Sequence, residues 1–168
     1  VTFRTEPVRF PSGNGECAGD LYRPEADDPG IPVPVVVMAH GIAAYREFGL
    51  APFAEAFAAR GLAVLVFDYR SMGGSPGEPR CLVSPRRHVE DYLSALAFVR
   101  ADPRFDPDRI GLWGTSFSGG HVLVAAARSP EGIRAVVSQI PFVSGTTSLL
   151  IYPPRYHLPA LLLGMWDG

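Results

Sequence analysis

The sequence predicts an α/β domain, a doubly wound and mostly parallel sheet with helices on both faces. Three observations carry that expectation. Short apolar runs ("VPVVVMAH", "LAVLVFDYR", "RIGLWG", "IRAVVSQI") alternate with stretches of helical periodicity. The runs are continuous rather than alternating apolar and polar, which is the pattern of strands buried on both faces. Clusters rich in Gly and Pro mark the connections between them. With 168 residues, 47% hydrophobic and 19% charged, the chain has enough material for one domain with a sizeable core.

The elements follow in order. "TFRTEPVRF" roughly alternates apolar and polar residues, "PSGNG" is a turn cluster, and "ECAGDLYRP" is a second short strand, so an N-terminal hairpin is expected. "EADDPGIP" is a polar loop before the first buried strand, "VPVVVMAH". "LAPFAEAFAAR" places Phe53, Ala56, Phe57 and Arg60 at helical spacing, with Gly61 where a C-terminal cap belongs. "LAVLVFDYR" is the next strand and "SMGGSPGEPR" the loop that ends it. "SPRRHVEDYLSALAFVR" is a helix with Pro85 in its first turn and Val89, Leu93, Leu96 and Val99 or Arg100 along one side. "ADPRFDPD" carries two Asp-Pro turn signals. "RIGLWG" is a strand, "FSGGHVLVAAAR" a helix and "IRAVVSQI" one more strand, expected to be buried. Right-handed crossovers distribute the helices over both faces. We expect one core domain over residues 1–145. Residues 146–168, rich in Pro, Tyr and Leu, read as the start of a cap.

Ser116 stands where a strand gives way to a helix. A sharp turn at that junction presents the side chain at the carboxyl edge of the sheet, where open α/β sheets bind ligands. It also sets the serine beside the next helix's free N–H groups, which favour developing negative charge. Strand and helix backbones nearly touch at such a turn, so the neighbours must be small, and Gly114, Ser118, Gly119 and Gly120 are. This is the setting of a nucleophile elbow, G-x-S-x-G, with Ser118 in place of the second glycine. A small-residue turn that only packs is the plainer alternative. A phosphate cradle is disfavoured, because no Lys-Ser/Thr pair and no G-x-G-x-x-G is present. "MAHGI" closes the first buried strand. His40 and Gly41 there would turn the chain so that the Ile42 N–H faces Ser116. With the Phe117 N–H it would form an oxyanion hole. An ordinary strand-end turn, with His40 packing locally, is the alternative.

On "VVVMAHG", "VLVFDYRSMGGSPGEPR" and "RIGLWGTSFSGG" the chain resembles the α/β-hydrolase family, in the branch near X-Pro dipeptidyl-peptidase-type and serine-aminopeptidase-type hydrolases, which also holds esterases. The similarity covers nearly all of residues 1–145. It implies an eight-stranded sheet, a Ser-His-acid triad, no cofactor, Ser116 as nucleophile, and Ile42 and Phe117 as oxyanion donors. The "DYRSMGGS" stretch corresponds to a loop near the active-site rim and is assigned no chemistry. Asp68 within it is expected to be structural.

The triad order of this fold is serine, acid, histidine. After the sixth strand the only histidine is His157, in the Pro-rich "PPRYHLP", and the only carboxylate is Asp167. Neither is a convincing partner. His121 shares the helix that follows Ser116 and is expected to pack or to line a rim, and His88 is expected at the surface. A C-terminally incomplete hydrolase is therefore anticipated, with its acid and histidine beyond residue 168. The expected substrate is a small-molecule or peptide ester or amide. The competing function is a ligand- or protein-binding module of hydrolase-like fold. A net charge of −2 argues against nucleic acid as partner. No run is long enough to span a bilayer, and no signal peptide is recognisable. Cys17 and Cys81 suggest neither a disulfide framework nor a metal site, so the cytoplasm is the default. An unpaired edge beside the sixth strand would favour self-association.

Overall fold

A computed structural model describes residues 1–25 and 30–150, together with Pro153 and Arg155. The chain runs β1 (Phe3–Ser12), β2 (Gly15–Pro24), β3 (Val33–Ala39), α1 (Ala51–Ala58), β4 (Ala63–Phe67), α2 (Pro85–Ala101), β5 (Phe105–Thr115), α3 (Phe117–Arg128), β6 (Ile133–Gln139) and α4 (Gly145–Leu150). The strands form one sheet in the order β1-β2-β4-β3-β5-β6. The hairpin β1–β2 is antiparallel and β2 joins β4 antiparallel, whereas β4, β3, β5 and β6 are parallel.

The continuous apolar runs do what two-sided burial requires. Along β4, Ala63, Leu65 and Phe67 enter one core while Val64 and Val66 enter the other. β3 and β5 split in the same way, with Val35, Val37, Ile110 and Leu112 on the first side and Met38 and Trp113 on the second. Helices α2 and α3 cover the first side through Tyr92, Ala95, Leu96, Val99, Val122 and Ala125. α1 covers the second through Leu50 and Ala54. Each fully buried Val, Leu or Phe contributes about 1.5–3 kcal/mol, so the two cores hold the sheet as a rigid platform.

Caps fix the helices in place. Ser84 accepts a bond from the Arg87 N–H ahead of Pro85, an N-cap followed by a first-turn proline. Bonds from Gly61 N to Ala58 O (3.0 Å) and from Leu62 N to Phe57 O (3.2 Å) close α1 as a Schellman motif, with Gly61 at φ +86°.

Three expectations need correction. The inner face of α1 is Ala54 and Ala58, with Phe57 half-buried, while Phe53 is 42% exposed and rests against Trp113. The small alanines let the helix approach the sheet closely, and periodicity counted on the larger residues misses that. His88 is buried rather than at the surface, because α2 turns residues 88, 92, 95 and 99 inward together. β6 is largely exposed, with Val136 and Val137 37% and 46% accessible. Among the described residues it pairs only with β5 and forms the sheet's edge. After β6, residues 140–150 include only the short α4, and most of residues 151–168 lie outside the described residues.

Candidate active site

Register sets the site. Ala39 of β3 pairs with Gly114 of β5, and Gly114 pairs with Ser138 of β6, so three carboxyl ends finish side by side. The residues that follow β3 and β5, His40-Gly41 and Ser116, therefore meet at the same sheet edge. A Cβ built on Gly41 would lie 3.2 Å from Ser116 Cβ and 3.7 Å from its Oγ. Glycine at position 41 thus leaves the space in front of the serine hydroxyl free.

Ser116 adopts φ +56° and ψ −118°, a region that residues with a Cβ rarely occupy. Backbone bonds enforce it. Its N–H donates to Gln139 O (2.9 Å), and its C=O accepts from Phe142 N (2.9 Å) and Gly120 N (3.4 Å). Ser116 is half-buried, and among the described residues its hydroxyl has no hydrogen-bond partner. Gly114 is required by close approach, since a Cβ there would come within 2.6 Å of the Ser118 carbonyl carbon. Gly119 packs against the β6 exit, where a Cβ would stand 3.0 Å from Gln139 O.

Ser118, the residue that departs from the elbow pattern, is fully buried and has a specific partner. Tyr92 donates its hydroxyl proton to Trp113 O (3.0 Å). Ser118 Oγ, 2.6 Å from Tyr92 Oη, must then be the donor in that pair. Serine in place of glycine adds a bond from the elbow's helix through α2 to β5.

The two N–H groups of interest sit on either side of Ser116. Phe117 opens α3, so its N–H has no acceptor within the helix. Ile42 is 55% exposed in the turn after β3, next to Ala43 at φ +55°. His40 is buried, with Nδ1 donating to Gly41 O (2.9 Å) and Nε2 3.6 Å from Asp68 Oδ1. Burial holds the His40 pKa below the ordinary histidine range.

Three of the four histidines gather behind the elbow around Tyr69. His88 stacks on it at 4.0 Å between ring centres, His40 meets it edge-on at 4.8 Å, and His121 Nδ1 lies 3.2 Å from its hydroxyl. Burial, reinforced by the neighbouring His121, lowers His88 to about 3, and burial lowers His121 to about 4. These are neutral packing residues at neutral pH. None hydrogen-bonds Ser116 Oγ, so His121 packs as expected from its place on α3. His157 and Asp167 lie outside the described residues. Among the described residues, no group of His, Cys, Asp and Glu is arranged to hold a metal ion. None of the described helices is long and apolar enough to cross a membrane.

The residues that local sequence patterns did not reveal are Tyr92, Tyr69 and Arg46, which act across long sequence separations. The glycine-rich stretch after β4, whose density of turn residues marks a close approach, signals only the contact of Asp68 with Arg46.

Comparisons with known proteins place the chain in a family. The family model of the X-Pro dipeptidyl-peptidase (S15 family) matches residues 16–165. The chain is 42% identical over 160 residues to the quorum-quenching protein AidA of Acinetobacter baumannii, a match covering 95% of this chain and 51% of that protein. It is 41% identical over 140 residues to the thiohydrolase aneE of Aspergillus aculeatus, covering 83% of this chain and 42% of the relative. The α/β hydrolase GrgF of a Penicillium species superposes with a TM-score of 0.81 at 26% identity, over 98% of this chain and 53% of that one. The chain thus spans about half the length, or less, of the curated relatives it matches.

Proposed function

The chain belongs to the X-Pro dipeptidyl-peptidase (S15) family of α/β hydrolases, and on that premise we propose that it carries the nucleophile and oxyanion hole of a serine hydrolase of acyl bonds. Ser116 Oγ attacks the acyl carbonyl carbon and gives its proton to a general base. The C=O double bond opens, and the N–H groups of Ile42 and Phe117 hold the resulting oxyanion. The tetrahedral intermediate collapses as the alcohol, amine or thiol leaves with the proton returned by the base. Water then hydrolyses the acyl-enzyme in a second cycle of the same steps. The base and its acid are assigned to sequence outside the described residues. Gly41, Gly114, Ser118 and Gly119 support the turn, and His40 anchors its oxyanion side.

One observation carries this reading: Ser116 is held at φ +56°, ψ −118° with Gly41 directly before its hydroxyl. Strain of that kind persists only where surrounding bonds over-determine it, and packing alone supplies no reason for it. Relatives named as a thiohydrolase and an acyltransferase favour an acyl substrate, with thioesters joining esters and amides. Free Cys17 and Cys81 are consistent with a reducing, cytoplasmic setting. A second reading, a binding module that self-associates through β6, draws on the exposed Val136 and Val137 at the sheet edge.

A fluorophosphonate reagent separates the two. Covalent labelling that maps to Ser116 and disappears in Ser116→Ala is the expected result. Folded protein that resists the reagent under conditions that label a control serine esterase would favour the binding module.

A further inference from the structure

The stretch "DYRSMGGSPGEPR" carries no reacting group, yet it surrounds a fully buried carboxylate beside the candidate site. Asp68 follows β4 and is 0% exposed. Its Oδ1 accepts the Arg46 backbone N–H (2.7 Å), and its Oδ2 accepts the Gly74 N–H (2.9 Å) and pairs with Arg46 Nη1. The same guanidinium reaches on to β2, with Arg46 Nε donating to Asp20 Oδ2 (2.7 Å). Glycine at position 73 makes the enclosure feasible, because a Cβ there would fall 2.5 Å from Asp68 Cγ. Ser75 Oγ donates to Asp68 O (2.7 Å) and accepts from Ala18 N (2.8 Å), tying the loop back to β2. Tyr45 Oη lies 3.5 Å from Cys81 Sγ and joins the two loops a second time.

The segment so fastened is the one that carries Ile42. Among the described residues, positions 42–44 carry no backbone–backbone hydrogen bond, and Ala43 sits at φ +55°. Their path is therefore set by what holds each end. At one end His40 is fixed by β3 and by its bond to Gly41 O. At the other end the anchor is Arg46. We infer that Asp68, Arg46 and Asp20 form a positioning latch that holds the Ile42 N–H at its oxyanion position against Ser116. The inference rests on the serine-hydrolase reading above. It gives these residues no contact with substrate: they act through the turn. An arginine suits the task because its planar guanidinium engages two carboxylates at once, Asp68 through Nη1 and Asp20 through Nε, which fixes direction as well as distance, and misplacing an oxyanion donor by about 1 Å costs on the order of a hundredfold in rate.

The test uses the naturally encoded protein with p-nitrophenyl butyrate as substrate and an aryl trifluoromethyl ketone as a mimic of the tetrahedral intermediate. Asp20→Asn and Arg46→Lys loosen the latch from its half-exposed side, and Arg46→Met removes it. The expected result is a fall in kcat of about tenfold for the first two and about a hundredfold for the third, with KM within about twofold. Affinity for the trifluoromethyl ketone falls in parallel with kcat. Melting temperature separates this from unfolding, and Asp20→Asn serves where Arg46→Met fails to fold. Folded variants with the parent's kcat and ketone affinity overturn the latch, as does a change confined to KM. Ser116→Ala is measured alongside: its inactivity leaves the latch to be judged on its own variants, whereas full turnover without Ser116 overturns both readings together.

Discussion

Replacing the strained serine by glycine should stabilise the protein while removing the proposed nucleophile. Ser116 is held at φ +56°, ψ −118°, where a Cβ clashes with its own backbone. Residues in such regions cost about 1–3 kcal/mol each. Ser116→Gly releases that cost. The three backbone bonds to Gln139, Phe142 and Gly120 need no side chain and remain. The hydroxyl has no partner to lose among the described residues. Against the gain stands the extra freedom of glycine in the unfolded chain, about 0.4–1 kcal/mol. The balance is a stabilisation of about 0.5–2 kcal/mol, or roughly 1–8 °C in melting temperature for a domain of this size. Ser116→Ala is the control, because it keeps the Cβ and its strain but deletes the hydroxyl. Urea unfolding of the three proteins should place glycine above both serine and alanine, which lie close together. If Ser116→Gly is no more stable than Ser116→Ala, the backbone at position 116 stores no strain and the elbow argument loses its physical basis.

Two further outcomes are open to measurement. Unfolded histidines titrate near 6.5, whereas His88 and His121 stay neutral in the fold down to about 3 and about 4. The unfolded chain therefore binds more protons across that window, and stability falls as pH drops from about 6.5 toward 4. Near pH 5 each of the two histidines contributes a slope of up to about 1.4 kcal/mol per pH unit, and His88→Phe, which keeps the stack on Tyr69, should flatten the profile by one proton in urea titrations at stepped pH. Ser118→Gly, which restores the strict elbow pattern, should destabilise by about 1–2 kcal/mol, because it removes the bond to Tyr92 and introduces glycine into the first turn of α3. A neutral or stabilising result would mean that the Ser118–Tyr92 bond contributes nothing.

The legible parts of this protein are those in which the local pattern is itself the cause. The continuous apolar runs of β3, β4 and β5 became strands because both faces of the sheet are covered there, and α3 spans the residues its sequence indicated, 117–128. The sharp turn at Ser116 was readable because a strand-to-helix junction demands small neighbours at fixed offsets. The misread features depend on partners far along the chain. The burial of β6 depends on what lies beside it, and its own valines do not report that. His88 looked superficial beside Arg86 and Arg87, yet the helix phase set by Tyr92 and Leu96 carries it inward. The hydroxyl of Ser118 finds Tyr92 across 26 residues, and Asp68 finds Arg46 across 22. No short window contains both ends of either pair.

The bonds that hold Ser116 in its strained turn run to Gln139 at the end of β6 and to Phe142 just beyond it. Among the described residues, β6 is bonded on one side only, to β5. Edge elements open at a lower free energy than the centre of a sheet, so with β6 at the edge the strained turn at Ser116 has the lifetime of its weakest neighbour rather than that of the core. In deuterium exchange the amide protons of Ser116 and Phe142 should then exchange at the rate of the β6 ladder, several orders of magnitude ahead of those in β3 and β4. Any molecule or further strand that seals that edge would slow both amides together, and would lengthen the lifetime of the strained turn.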